Sequence, residues 1–154
     1  MKRAIIGIFI FLLFCEVAQA EEVWVLCHPD SYVCLRENPR KTSEGFGGAP
    51  CGAEMETDGK TKNGFLYVYG LAAECDRGWI SSKYVVYSEP KEINREMVIR
   101  ADGRVAIRKC VNGKITGWLH DGDRVKVLWA SDEWAITSRG YMMTEFLAEV
   151  PDGV

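Results

Sequence analysis

Apolar and polar residues alternate in short runs along this chain, and no stretch sustains a helical period. Residues 23–27, Val-Trp-Val-Leu-Cys, open the series with β-forming side chains and stop at Pro29. In residues 33–37 the aliphatics Val33 and Leu35 share one face while Arg36 takes the other, the period-two pattern of a half-buried strand. Residues 52–57, 65–69 and 77–86 follow, separated by glycine or polar turns. Each has a later counterpart, in residues 97–100, 105–109, 122–127, 134–137 and 139–148. The best-kept pair is Arg77-Gly78-Trp79-Ile80-Ser81 against Arg139-Gly140-Tyr141-Met142-Met143, sixty-two positions on. Such a repeat points to two similar modules. Five short strands per copy with glycine turns predict a small, partly open β-barrel, and therefore an all-β chain of two such barrels in tandem.

The copies differ in their loops. The first carries a long polar and glycine-rich loop over residues 38–48 and an insertion over residues 71–76, where the second has only the shorter loop 110–117. Ser88-Glu89-Pro90-Lys91-Glu92 has no apolar period and reads as a linker that few contacts cross. The expected division is a leader at 1–20, a first barrel at 21–88, a linker at 89–94, a second barrel at 95–150 and a tail at 151–154. The leader is expected because Lys2-Arg3, an apolar run of about eleven residues and Ala18-Gln19-Ala20 make the three parts of a secretory signal peptide. The run is too short for a membrane span of about twenty residues, so no membrane anchor is expected after cleavage. The destination is the periplasm, or the exterior or cell surface.

Charge and cysteines narrow the chemistry. The net charge is -3, and losing Lys2, Arg3 and Glu16 with the leader makes it -4. A mildly acidic chain gains nothing from counterion release on a polyanion, which argues against nucleic acid as a partner. Cys27, Cys34, Cys51, Cys75 and Cys110 remain after the leader. Four lie in the first module, which is too small to be comfortably stable alone, and an exported chain meets oxidising conditions. Four cysteines allow three pairings. The turn-rich span His28-Pro29-Asp30-Ser31 favours Cys27 with Cys34, leaving Cys51 with Cys75 and Cys110 unpaired; free thiols in a reducing setting are the other reading. No Cys-x-x-Cys occurs and there are only two histidines, so neither metal nor other cofactor is expected.

The residues also resemble a known family. Val105-Ala106-Ile107-Arg108, then Gly122-Asp123-Arg124-Val125-Lys126-Val127, then Trp134, then Gly140-Tyr141 through Phe146-Leu147 is similar to the bacterial SH3 (SH3b) domain family. The first copy carries the pattern more loosely, as Val33-Cys34-Leu35-Arg36, Gly52-Ala53-Glu54 and Gly78-Trp79-Ile80-Ser81-Ser82-Lys83-Tyr84-Val85. The resemblance implies a non-catalytic module that attaches to cell-wall peptidoglycan through its peptide or glycan part. The alternative partner is another exported protein that offers an extended peptide segment.

No catalytic residue is expected. His28 follows Cys27 directly, so in an extended strand their side chains point to opposite faces, and His120 has no nucleophile beside it. Trp79, Tyr84, Trp134, Tyr141 and Phe146 fall inside strands and read as core. Tyr32, Phe46, Tyr69 and Trp118 border loops, where exposed rings make platforms for peptide or sugar. Arg36 and Arg108 face outward at equivalent positions and are candidate partners for a ligand carboxylate. Because the first copy has the elaborated loops, the main site is expected there, near Tyr32, Phe46 and Tyr69.

Overall fold

The structure is a computed structural model that describes residues 19–70 and 77–151. The first sheet contains β1 (Glu21–Val25), β2 (Tyr32–Arg36), β3 (Gly45–Pro50), β4 (Glu54–Thr57), β5 (Thr61–Lys62), β6 (Phe65–Tyr69), β7 (Arg77–Ser81) and β8 (Val85–Val86). The second contains β9 (Lys91–Ile99), β10 (Arg104–Arg108), β11 (Ile115–His120), β12 (Arg124–Ala130), β13 (Trp134–Thr137), β14 (Gly140–Met143) and β15 (Leu147–Glu149). All pairings are antiparallel. Single 3-10 turns at Ser82–Tyr84 and Thr144–Phe146 join the last two strands of each sheet. Among the described residues there is no α-helix.

The sequence repeat is a topological repeat. The first sheet runs β3-β2-β7-β6-β4-β1-β8 with β5 on β6, and the second runs β11-β10-β14-β13-β12-β9-β15. The two orders map position by position. Even an irregularity recurs: the register slips between Leu35 and Arg36 in one copy and between Ile107 and Arg108 in the other. Each unit has its own core, Val23, Val25, Leu35, Met55, Val68 and Ile80 in the first, Ile99, Ile107, Leu119, Val127 and Met142 in the second. Full burial of each such side chain stabilises by about 1.5–3 kcal/mol.

Two expectations are corrected. Strands β3 and β11 lie partly in segments expected to be loops, so the sheets have eight and seven strands rather than five each. Gly-Phe-Gly-Gly-Ala-Pro has few β-formers. Pairing with β2, which sets Ala49 against Val33 in the core, is what makes it a strand. The expected linker is also shorter, because Lys91 and Glu92 already pair with Ala130 and Trp129 at the start of β9. The insertion 71–76 and most of the leader lie outside the described residues.

Contacts between the units are extensive, contrary to the expectation of a sparse hinge. Leu26 and Val86 of the first unit pack with Val111, Trp134, Ile136 and Tyr141 of the second in a third apolar cluster. Hydrogen bonds cross as well: the buried Tyr141 hydroxyl donates to Leu26 O at 2.9 Å, Val111 N to Lys83 O at 3.0 Å and Asp132 N to Ser88 Oγ at 3.0 Å. The physical reason is visible in β13, where Trp134, Ala135, Ile136 and Thr137 are all buried. A strand covered on both faces needs something beyond its own unit to cover the second face.

Candidate functional site

The joint between the units opens into a cleft of ≈ 740 Å³. The first unit contributes β2 and the turn Ser82–Tyr84, and the second contributes Lys109 and Cys110 just after β10, with Ile136 and Tyr141 as floor. Tyr141 is fixed by its bond to Leu26 O and by the tilted Tyr84 ring 6.4 Å away. Burial, foremost, pushes its phenol well above the usual tyrosine range, so it stays a neutral donor.

The expected ligand-binding residues are scattered. Tyr32 and Arg36 line the cleft, whereas Phe46, Tyr69, Trp118 and Arg108 do not. Tyr32 is 72% exposed at the rim. Arg36 Nη1 donates to Ser43 O at 2.6 Å, and in the second copy Arg108 Nη1 donates to Gly113 O at 2.8 Å, so the repeated arginine first clamps the hairpin that follows it. Arg108 borders a separate hollow of ≈ 420 Å³ among Asp132, Glu133 and Glu145. Trp118 lies under Arg104, whose guanidinium carbon is 4.1 Å from the ring centre. Phe46 covers Gly78, and Tyr69 pairs with Glu56 and Arg77 on the sheet. Sequence reasoning missed the cleft-lining cations Lys41, Lys83 and Lys109, because nothing in the sequence signals that the two units meet there.

Cys27, Cys34 and Cys110 line the cleft, and Cys51 lies behind Cys27 without lining it. Cys27, Cys34, Cys51 and Cys110 are all free, which corrects the expected Cys27–Cys34 bridge. Cys75, expected opposite Cys51, lies outside the described residues. The Cys34 side chain projects from the face opposite Val33 and Leu35, and its thiol contacts Leu35 O at 3.6 Å. The neighbour of Cys27 is Cys51. Val25 N bonds Ala53 O and Gly52 N bonds Val25 O, the same turn closure that Ile99, Asp123 and Gly122 make in the second unit. The repeat therefore equates Cys27 with Ala101 and Cys51 with Asp121, whose Oδ1 accepts from Ala101 N at 3.1 Å. Where the second unit uses that bond, the first has two facing thiols. Hydrogen bonding from Cys51 lowers Cys27 to about 7 against the opposing effect of burial, and Ser31 helps. The same bond, with burial, pushes Cys51 up. The pair thus gives up one proton readily and holds the other. Cys27 is buried, whereas His28 is exposed, its Nδ1 accepting from Asp30 N at 3.3 Å and lying 3.7 Å from the Asp30 carboxylate. The ring is thus turned toward its own loop.

Treatment with the two-electron thiol oxidant diamide should link Cys27 to Cys51 in preference to Cys34. Peptide mapping after digestion at Arg36 and Lys41 checks this, since those sites separate the two cysteines; a Cys27–Cys34 product would contradict the geometry.

No family model and no curated protein matches the chain. Solved structures similar to it include two from Trichomonas vaginalis. NlpC2 from Trichomonas vaginalis is 14% identical, covering 89% of this chain and 52% of that one at a TM-score of 0.36. NlpC1 from the same organism is 15% identical, covering 88% of this chain and 49% of that one, also at 0.36. The chain thus spans about half the length of these solved structures.

Proposed function

We propose that this chain is an exported, non-catalytic binding protein whose two SH3-like barrels, of the bacterial SH3 type, attach it to the peptide part of peptidoglycan. The observation that carries this reading is the shared cleft: one strand order used twice, with the two copies packed so that both supply walls to a single concave surface of ≈ 740 Å³. That size suits a short peptide or a sugar unit. An exposed Tyr32 at the rim supplies a rigid ring at low entropic cost. On this reading the site is the joint between the two modules and not the first module alone.

The test is retention of residues 21–154 on purified sacculi. The wild-type chain should pellet with them, and Tyr32→Ala should weaken retention about ten-fold, equivalent to about 1.4 kcal/mol. Because Tyr32 is largely exposed, the variant's thermal unfolding should stay close to wild type. No pelleting of the wild-type chain would end the proposal.

A further inference from the structure

The charge inside the cleft is opposite to that of the chain. Arg36, Lys41, Lys83 and Lys109 line it, and no aspartate or glutamate does among the described residues, although the whole chain carries -3. Among the described residues none of these four cations is in an ion pair. Arg36 gives one N–H to Ser43 O and keeps the rest of its fork for another acceptor. The two lysines closest to the joint are set by backbone bonds: Lys83 O accepts from Val111 N at 3.0 Å, and Lys109 N donates to Lys114 O at 3.0 Å. Like charges gathered in a concave, partly apolar site repel one another, and an anion relieves that cost.

Two further features select the anion. The floor is apolar and aromatic, with Val33, Phe65, Ile136, Tyr84 and Tyr141, so the ligand must offer carbon surface as well as charge. Screening confines the cleft's field to about 10 Å at 0.1 M salt. A long polyanion would run beyond it over an acidic protein, whereas a short ligand lies wholly inside. We propose that the cleft binds a short peptide bearing at least two carboxylates, which are met by Lys83 and Lys109 from the two units and by the Arg36 fork. This rests on the reading of the chain as a peptide-binding protein and names the chemistry of that same site. Such a peptide has two sources, an uncrosslinked wall stem peptide or an acidic segment of an exported protein.

Calorimetric titration of the full chain separates these possibilities. The probes are L-Ala-γ-D-Glu-L-Lys, the same tripeptide with both carboxylates amidated, and acetyl-Glu-Ala-Glu-amide. At least one carboxylate probe should bind, amidation should weaken the tripeptide at least ten-fold where that probe binds, and Lys83→Gln with Lys109→Gln should weaken binding at least ten-fold. Lys41→Gln should give a smaller loss of the same sign. Both lysines are exposed, so the double variant should unfold like wild type; if it does not, the Lys41 variant and the amidated probe decide. Binding by the tripeptide points to the wall source, and binding by the linear peptide alone to the protein source. Equal affinity for the amidated tripeptide, unchanged affinity of the variants, or no binding of either carboxylate probe overturns the inference. Wild-type and double-variant chains retained equally on sacculi, before and after carbodiimide amidation of the sacculi, would leave wall attachment standing and remove the cleft. Lysine-dependent peptide binding without sacculus retention would do the reverse.

Discussion

Replacing Tyr141 with alanine should lower the unfolding free energy by about 3–5 kcal/mol, the range for deleting a buried aromatic ring. The ring sits in the cluster that joins the units, between Ile136 and Trp134 of its own unit and Leu26 and Val86 of the other, so the cavity opens where neither sheet can collapse alone. Its hydroxyl also satisfies the Leu26 carbonyl. Tyr141→Phe keeps the ring and isolates that bond, and should cost about 1–3 kcal/mol because a buried carbonyl loses its donor. Urea unfolding at neutral pH measures both. The alkaline limb gives a second check. Burial holds the folded phenol above its unfolded value of about 10, so its contribution is complete below pH 10 and is lost as pH rises further, by up to about 1.4 kcal/mol per pH unit. Tyr141→Phe should therefore narrow its deficit against wild type above pH 10. Parallel curves would mean that the phenol ionises freely and the joint is wet.

The same residue shows what the sequence could and could not reveal. Its strand, its partner strand in the first copy and its burial were all legible, because Gly-aromatic-aliphatic recurs as Gly78-Trp79-Ile80 and Gly140-Tyr141-Met142 and both aromatics are buried. That Tyr141 reaches Leu26 was not. A charged stretch without apolar period, residues 88–92, reads as a hinge, yet the units pack through Leu26, Val86, Val111, Trp134, Ile136 and Tyr141, all outside it, and Ser88 itself bonds across the joint. A signal did exist: Val25-Leu26, Val85-Val86 and Trp134-Ala135-Ile136 place apolar side chains at consecutive positions, which a sheet with one wet face does not need. The cysteines teach a similar lesson. Turn content between Cys27 and Cys34 favoured joining them, but the alternation that puts Val33 and Leu35 in the core already turns Cys34 away from it. Cys51 follows from the repeat instead, once the turn at Gly52 is aligned with that at Gly122. The cleft cations remained hidden for a different reason. Lys83 and Lys109 are ordinary surface lysines in their own units, and only the joint makes them neighbours of one cavity.

The repeated glycine should respond differently in the two copies. Gly140 has φ +129°, and a Cβ there would stand 2.8 Å from Arg108 O and 2.9 Å from Ile107 Cγ2. Both obstacles belong to β10, the strand paired with β14 at Arg108 and Tyr141, so neither can retreat without breaking the ladder. The turn on the other side is closed too, by the Thr137 hydroxyl donating to Gly140 O at 2.8 Å. Gly140→Ala combines a backbone conformation hostile to L side chains with a backbone clash, and should cost about 2–4 kcal/mol. Gly78 has an ordinary φ, and a Cβ there would meet Phe46 Cζ at 2.6 Å, with Arg36 O further off at 3.3 Å. Phe46 is 38% exposed, and the atom in the way is the far end of its side chain and not backbone. Gly78→Ala should therefore sit at the low end of overpacking, about 1 kcal/mol. Shrinking the obstacle should relieve it: in the Phe46→Ala background the added methyl should cost less, a coupling that a double-mutant cycle in urea would read directly. No comparable rescue is expected for Gly140→Ala from Ile107→Val, which keeps Cγ2 and leaves the Arg108 carbonyl in place. If Gly78→Ala proved as costly as Gly140→Ala, the shared Arg-Gly-aromatic motif would owe its glycine to backbone conformation in both copies and not, as the contacts indicate, to two different neighbours.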